Sequence, residues 1–223
     1  MKNYKFSDFS GAYLDEQFVK HIPKNEIKNI VELGARECRD TISLSEYYPE
    51  ATIYAFECNP DTIGLCEHNL NLLDKQQKDR IYFFPYGAGS KNETKKFYKF
   101  IYENNPGASS FLPRIYDSHK QQETEQVLTI VKIENIIEKF KINNIDLICA
   151  DIQGFEIEAL KGFGKYLKNV KYIITEIPKD VSLYKDAPSR EEMIEFFKTN
   201  NFQIIETLFE NLYEDNVLLK RVE

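Results

Sequence analysis

Long apolar runs are missing from this chain. No segment of the 223 residues approaches the roughly 18 consecutive apolar positions of a membrane-spanning helix. The first twenty residues, MKNYKFSDFSGAYLDEQFVK, are charged throughout and lack the apolar core of about seven to fifteen residues that a secretory signal needs. The expectation is a soluble, cytoplasmic protein without a membrane span. Cysteine is scarce and unpatterned: Cys38, Cys58, Cys66 and Cys149 show no C-x-x-C spacing, which points away from a zinc site or a disulfide framework and toward buried reduced thiols. An excess of positive charge is absent too. The 29 Lys and Arg against 36 Asp and Glu leave a net charge of −7, which argues against nucleic acid or anionic lipid as partner. Two glycine-rich phosphate motifs are also missing. Without G-x-G-x-x-G a dinucleotide pyrophosphate has no cradle, and without G-x-x-x-x-G-K-[ST] ATP and GTP lose theirs.

What is present is an alternation of strand-like and helix-like segments. Strands are expected at 29–33 (NIVEL), 51–57 (ATIYAFE) and 80–84 (RIYFF), with helices at about 39–48 and 60–73. In the second helix Ile63, Cys66, Leu70 and Leu73 recur at spacings that share one face. After the middle of the chain come a helix at 134–141, a strand at 145–150 (IDLICA), a helix at about 155–167, a strand at 170–176, a helix at 189–200 and an antiparallel pair at 202–208 and 216–222. Such an order builds a mostly parallel α/β sheet from βαβ units. Residues 1–28 read as a partly helical N-terminal cap and 29–223 as the main domain. Between positions 91 and 133 two β-like runs flank a long polar loop, NNPGASSFLPRIYDSHKQQETE, a β-rich insertion before the fourth core strand. Loops of that length in a domain this size tend to be functional, so it is a candidate acceptor pocket or lid.

Ligands of open α/β sheets bind beyond the carboxyl ends of the strands. The first such end is Glu32-Leu33-Gly34-Ala35-Arg36, where Gly34 permits a sharp turn and close approach of a ligand. The second ends on Glu57, followed by Cys58 and Asn59. A carboxylate there can accept hydrogen bonds from both hydroxyls of a ribose. A turn without a pyrophosphate cradle, plus a ribose-binding acid, fits S-adenosylmethionine.

The segments VELGAREC, YAFECNP, ICADIQGFEIEALKG and ITEIPKDVSLYKDAP, in this order, resemble the FkbM family of methyltransferases over residues 29 to about 222. DIQGFEIEALKG is the most specific piece and is similar to the family pattern D-[VT]-[EQ]-G-x-E-x-x-x-L-K-G. The resemblance implies a class I, Rossmann-like methyltransferase fold: a seven-stranded, mostly parallel sheet with helices on both faces and an antiparallel final pair. It implies S-adenosylmethionine as cofactor, and places Tyr86 and Gly87 near its adenine. The first turn departs from the family's D/E-x-G-A-N-x-G, with Arg36 for Asn and Cys38 for the second Gly. Arg36 then either occludes the site or, the preferred reading, grips the cofactor's carboxylate with its fork.

Asp151 follows the apolar strand IDLICA, and Glu176 ends the next strand. Adjacent strands lie about 4.8 Å apart, so the two acids are expected to converge. Asp151 is the candidate base for an acceptor hydroxyl, or the pair is a site for Mg2+ or Mn2+ that lowers the acceptor's pKa. Helix capping is the structural alternative for Asp151. His119, in the long loop, is a further candidate base. Ser109, Ser110, Arg114, Gln153 and Tyr184 are candidate acceptor contacts. The expected activity is methyl transfer to a hydroxyl of a sugar, nucleotide-sugar, glycan precursor or similar small polyol. Alternatives are a phosphoryl or phosphoramidate oxygen of a surface polysaccharide, which Arg114, Lys120 or Lys185 at the site would favour, and a noncatalytic S-adenosylmethionine-binding protein.

Overall fold

The computed structural model describes residues 2–6, 11–101, 105–116, 118–123, 127–180 and 182–222. In chain order its elements are α1 (Glu16–Val19), β1 (Asn29–Leu33), α2 (Arg39–Tyr47), β2 (Thr52–Phe56), α3 (Pro60–Asn71), α4 (Lys75–Lys78) and β3 (Ile81–Phe84). The inserted segment holds β4 (Gly87–Gly89), β5 (Glu93–Lys95), β6 (Tyr98–Phe100), β7 (Gln121–Glu123) and β8 (Leu128–Lys132). Then follow α5 (Ile133–Phe140), β9 (Leu147–Ala150), α6 (Glu156–Lys161), β10 (Tyr172–Pro178), α7 (Arg190–Thr199), β11 (Phe202–Phe209) and β12 (Glu214–Arg221).

Seven strands form the main sheet in the order β11-β12-β10-β9-β1-β2-β3. All neighbouring pairs are parallel except β10–β12 and β11–β12. This is the class I methyltransferase topology. Because helices cover both faces, the strands are apolar on both sides. Along β1 and β2, Val31, Leu33, Tyr54 and Phe56 face one core with α5, α6 and α7, while Ile30, Ile53 and Ala55 face the other with α1, α2 and α3. Each fully buried Ile or Leu contributes about 1.5–3 kcal/mol of transfer free energy, which fixes the strand register. Tyr13, Phe18, Ile22 and Ile27 of the N-terminal segment belong to the second core. Among the described residues, no helix is long and apolar enough to cross a membrane.

Local signals start the helices that frame the site. The Asn59 side chain accepts from the Asp61 N–H at the start of α3, with Pro60 at the first helical position. A reciprocal Ser189–Glu192 capping box opens α7.

Two sequence expectations are corrected. The helix expected at 155–167 stops at Lys161 and resumes as a 3-10 segment, Gly164–Asn169. At Gly162 a Cβ would lie 2.0 Å from the Gly89 carbonyl oxygen, so the backbone presses on β4 and the α-helix does not run through. Cys38 and Cys66, expected as separate reduced thiols, are paired as a disulfide across 28 residues. The turn after β1 sets Cys38 at the N-terminus of α2, 4.9 Å in Cα separation from Cys66 on α3, within the range a disulfide spans. Cys149 is buried and Cys58 half-buried.

Candidate active site

A cleft of about 460 Å3 runs across the carboxyl ends of the parallel strands. Gly34 forms its floor. Its φ of +88° is one that residues with a Cβ rarely adopt, and a Cβ there would sit 2.1 Å from the Asp151 carbonyl oxygen. Only glycine lets the β1 turn pass under the β9 turn.

At one end of the cleft Glu57 is buried, with one carboxylate oxygen 2.7 Å from the Arg36 N–H and the other 2.6 Å from the Asn59 N–H. Burial is the main reason its pKa rises to about 7; the backbone donors hold it down only in part. The Cys58 N–H and the Thr62 hydroxyl add to these donors, and Glu57 lines the cleft. Cys58, Asn59, Tyr86 and Gly87 complete this end. A Cβ at Gly87 would be 2.6 Å from the Phe111 ring, so the glycine lets the inserted segment close on β4.

Arg36 lines the cleft without the free fork the sequence suggested: its Nε is 2.7 Å and its Nη2 3.3 Å from the Glu37 carboxylate. The guanidinium also lies beneath Gly107 of the loop. Glu32 does not reach the cleft. Strand alternation turns it with Ile30 toward α2, where Thr41 Oγ1 donates to it and its Oε1 has no partner. Burial first, then the nearby Asp40, raises its pKa to about 8. Ala35 is buried and serves through its N–H, which donates to the Phe56 carbonyl.

At the other end Asp151 and Glu176 converge, as their neighbouring strand ends require: Thr175 of β10 is in register with Ala150 of β9. Gln153 Nε2 is 2.5 Å from Asp151 Oδ1 and 3.3 Å from Glu176 Oε2, so the amide joins the two carboxyls. Burial raises both pKa values, and the Asp151 charge adds to the rise at Glu176. Two carboxyls so coupled lose their protons in separate steps, so one is ionised while the other still holds a proton.

The pair does not suit a divalent cation. An amide N–H donor occupies the bridging position, and among the described residues no three His, Cys, Asp or Glu side chains are grouped to hold a metal. Nor does Asp151 cap α6. The buried Glu156 staples that turn instead, accepting from the Ile152 and Gly154 N–H groups at 3.0 and 3.2 Å.

Ser109, Ser110, Arg114 and Gln153 all line the cleft, but the two serines are committed to holding the loop. Ser109 Oγ accepts from the Phe100 N–H and from Asn59 Nδ2, and Ser110 Oγ donates to the Gln153 carbonyl while accepting from the Leu112 N–H. Tyr184 is 1% exposed and sits behind Gln153 rather than in the cleft. His119 is exposed on the 3-10 turn Ser118–Lys120 and does not line the cleft. Of Arg114, Lys120 and Lys185, only Arg114 does. Residues 104 and 117 of the loop lie outside the described residues.

Sequence reading missed three contributors to the cleft: Gly11-Ala12-Tyr13 of the N-terminal segment, Asp40 of α2, and Glu210 and Glu214 at the tip of the final hairpin. Asp40 Oδ2 accepts from the Gly11 N–H at 2.8 Å, which draws that segment to the cleft. The acidic run at 210–215 was a signal for the hairpin tip.

The methyltransferase FkbM domain model matches residues 32–204. The chain belongs to the FkbM methyltransferase family. It is 28% identical over 163 residues to the hexuronic acid methyltransferase AglP of Haloferax volcanii, a match covering 70% of this chain but only 62% of that protein. It is 21% identical to the 2-O-methyltransferase NoeI of Sinorhizobium fredii, covering 87% of this chain and 79% of that protein. The crystal structure of methyltransferase FkbM from Methylobacillus flagellatus superposes with a TM-score of 0.58 at 13% identity, covering 86% of this chain and 43% of that one. Membership gives the first turn a physical reading. Arg36 and Cys38, which stand where the family pattern has Asn and Gly, both take positive φ, +50° and +60°, the backbone region those two residue types tolerate best.

Proposed function

We propose that the protein is an S-adenosylmethionine-dependent O-methyltransferase whose acceptor is a hydroxyl of a sugar, nucleotide-sugar or glycan precursor. The observation that carries this reading is the placement of two unlike acidic groups in one cleft: Glu57 shaped for a diol, and the Asp151–Glu176 pair shaped to move a proton. When bound, S-adenosylmethionine supplies a methyl group already activated on a sulfonium. Glu57 holds the ribose hydroxyls, with Tyr86 and Gly87 beside the base. Gly34 lets the chain approach closely. Asp151 accepts the proton of the acceptor hydroxyl, while Glu176 stays protonated and donates to it. Arg114 and Gln153 line the acceptor end.

The substrate class draws on the relatives' names. A hexuronic acid is a polyhydroxylated sugar, and a 2-O-methyltransferase delivers its methyl to oxygen. The reading for this chain joins the two. No metal enters the mechanism, because the donor set around Asp151 includes an N–H.

The test is incubation with methyl-labelled S-adenosylmethionine and a panel of uridine- and guanosine-diphosphate sugars, in the presence of EDTA. Label is expected on a sugar oxygen at undiminished rate in the chelator. Asp151→Asn should lower turnover by about 10²- to 10⁴-fold, the usual contribution of a general base, with S-adenosylhomocysteine affinity unchanged. Full turnover in that variant would remove Asp151 as base, and loss of wild-type activity in EDTA, restored by Mg2+, would reinstate the metal.

A further inference from the structure

Behind the candidate base lies a chain of polar contacts that methyl transfer as described above does not use. Arg114 Nη1 is 3.2 Å from the Tyr184 hydroxyl, which is 2.6 Å from Gln153 Oε1. Gln153 Nε2 in turn faces Asp151 and Glu176. The Tyr184 hydroxyl also lies 3.0 Å from the Ala108 carbonyl. The backbone is built around this chain: Arg114 and Tyr184 form an isolated antiparallel bridge, and Gln153 is held at φ +58°. The Arg114 guanidinium stacks over the Tyr184 and Phe100 rings, 5.4 and 5.0 Å from their centroids.

The direction of the chain follows from chemistry. Arginine only donates, so the tyrosine oxygen accepts from Arg114 and its single proton goes to the nearer acceptor, Gln153 Oε1. An amide whose oxygen is so engaged must turn its amino group to the two carboxyls. Flipped by half a turn, the amide would place an oxygen against Asp151, opposing the charge a base needs.

We infer that Tyr184, anchored by Arg114, is a positioning residue that locks the Gln153 amide with its amino group on the Asp151–Glu176 pair. The lock rests on the reading of Asp151 as base, and it ties the acceptor loop to that base, because Arg114 belongs to the loop and lines the cleft. A donor on Asp151 favours its ionised form. Other charges face the pair as well: Glu156 from α6, Glu210 and Glu214 from the final hairpin, and Asp40 and Arg36 from the β1–α2 side. Arg36 is the cation among them that favours ionised Asp151. The acids oppose it, which is why a donor held in place matters here.

The experiment needs no acceptor. In 15N-labelled protein the Gln153 side-chain amide pair, identified by its loss in Gln153→Met, is followed by NMR from pH 5 to 9. In the wild type it should shift with the titration of the carboxyl pair and exchange slowly with water. Tyr184→Phe removes only the hydroxyl. It should move the titration midpoint to higher pH and speed exchange about tenfold or more, while leaving S-adenosylhomocysteine affinity intact. Arg114→Met should do the same in part, and decides the matter should Tyr184→Phe not fold. A midpoint and exchange rate unchanged from wild type in the folded variants would overturn the lock. Failure of Asp151 as base would show separately, as retained turnover in Asp151→Asn with the amide signals still coupled to Tyr184.

Discussion

At Glu57 one carboxylate has a structural part and a proposed one. It accepts the Arg36 and Asn59 N–H groups and so pins the turn after β1 to the end of β2, and it lines the cleft where we place the ribose. Removing it therefore has two effects that different substitutions separate. Glu57→Gln retains an acceptor for one backbone donor and the side-chain volume but cannot accept two ribose hydroxyls as a charged carboxylate does. We expect S-adenosylhomocysteine affinity, measured by calorimetry, to fall at least tenfold in Glu57→Gln, about 1.4 kcal/mol. In Glu57→Ala thermal stability should fall as well, because buried N–H groups left unpaired cost about 1–3 kcal/mol each. Equal affinity in folded Glu57→Gln would exclude the ribose role. A parallel titration with NAD should show no binding.

Elements bring these residues together, and their legibility in the sequence varies with how local the causes are. The strands and most helices are readable because hydrophobic period and strand–helix alternation are local properties. Convergence of Asp151 and Glu176 is readable because it follows from two strands being neighbours. The break after Lys161 is not, since it arises from contact between Gly162 and β4, some seventy positions earlier in the chain. Pairing of Cys38 with Cys66 likewise depends on where the β1 turn sets α2 against α3. Glu32 reads as a cofactor contact from its place near a strand end, yet strand alternation, with Ile30 beside it and Val31 and Leu33 opposite, turns it toward α2. The two serines do lie at the expected cleft, but their hydroxyls bind the inserted segment to the turns after β2 and β9 instead of facing an acceptor. Ser110→Ala removes the donor to the Gln153 carbonyl and the acceptor of the Leu112 N–H. Hydrogen–deuterium exchange should then speed across 105–116 while α3 and the sheet stay protected. Cofactor-product affinity should change less than threefold. A uniform rise in exchange over the whole chain would show that Ser110 supports the fold rather than the loop.

Over the whole molecule, acids that line the cleft or lie close behind it are buried or half-buried and have raised pKa values, with burial the leading cause in each: Glu32 and Glu156 to about 8, Glu57 and Glu214 to about 7, and Asp40 to about 6. The folded chain thus holds protons that the unfolded chain has released above its ordinary carboxylate range of about 4 to 4.5. Stability from these groups is complete below that range and is lost as pH rises through about 6 to 8. Carboxylates with lowered pKa, such as the exposed Glu50 and the half-buried Glu206, are paired with lysines at the surface. They act in the opposite sense, but only below about pH 4.5, and weakly because solvent screens them. Between pH 6 and 8.5 the ligand-free protein should therefore lose at least about 1.4 kcal/mol, the worth of one pKa unit, and its Tm should fall by about 3–6 °C at the 2–4 °C per kcal/mol usual for this size. Ligand binding reverses part of this. On the proposed reading, ribose hydroxyls donating to Glu57 would favour its ionised form, so binding should release a proton and tighten as pH rises through about 7. The Tm gain from a fixed, saturating concentration of S-adenosylhomocysteine should be larger at pH 8.5 than at pH 6, read by differential scanning calorimetry in buffers of equal ionic strength. A gain that is equal or smaller at pH 8.5 would mean that the ligand leaves Glu57 protonated, and a ligand-free Tm that climbs with pH would mean that the buried acids are already ionised in the fold.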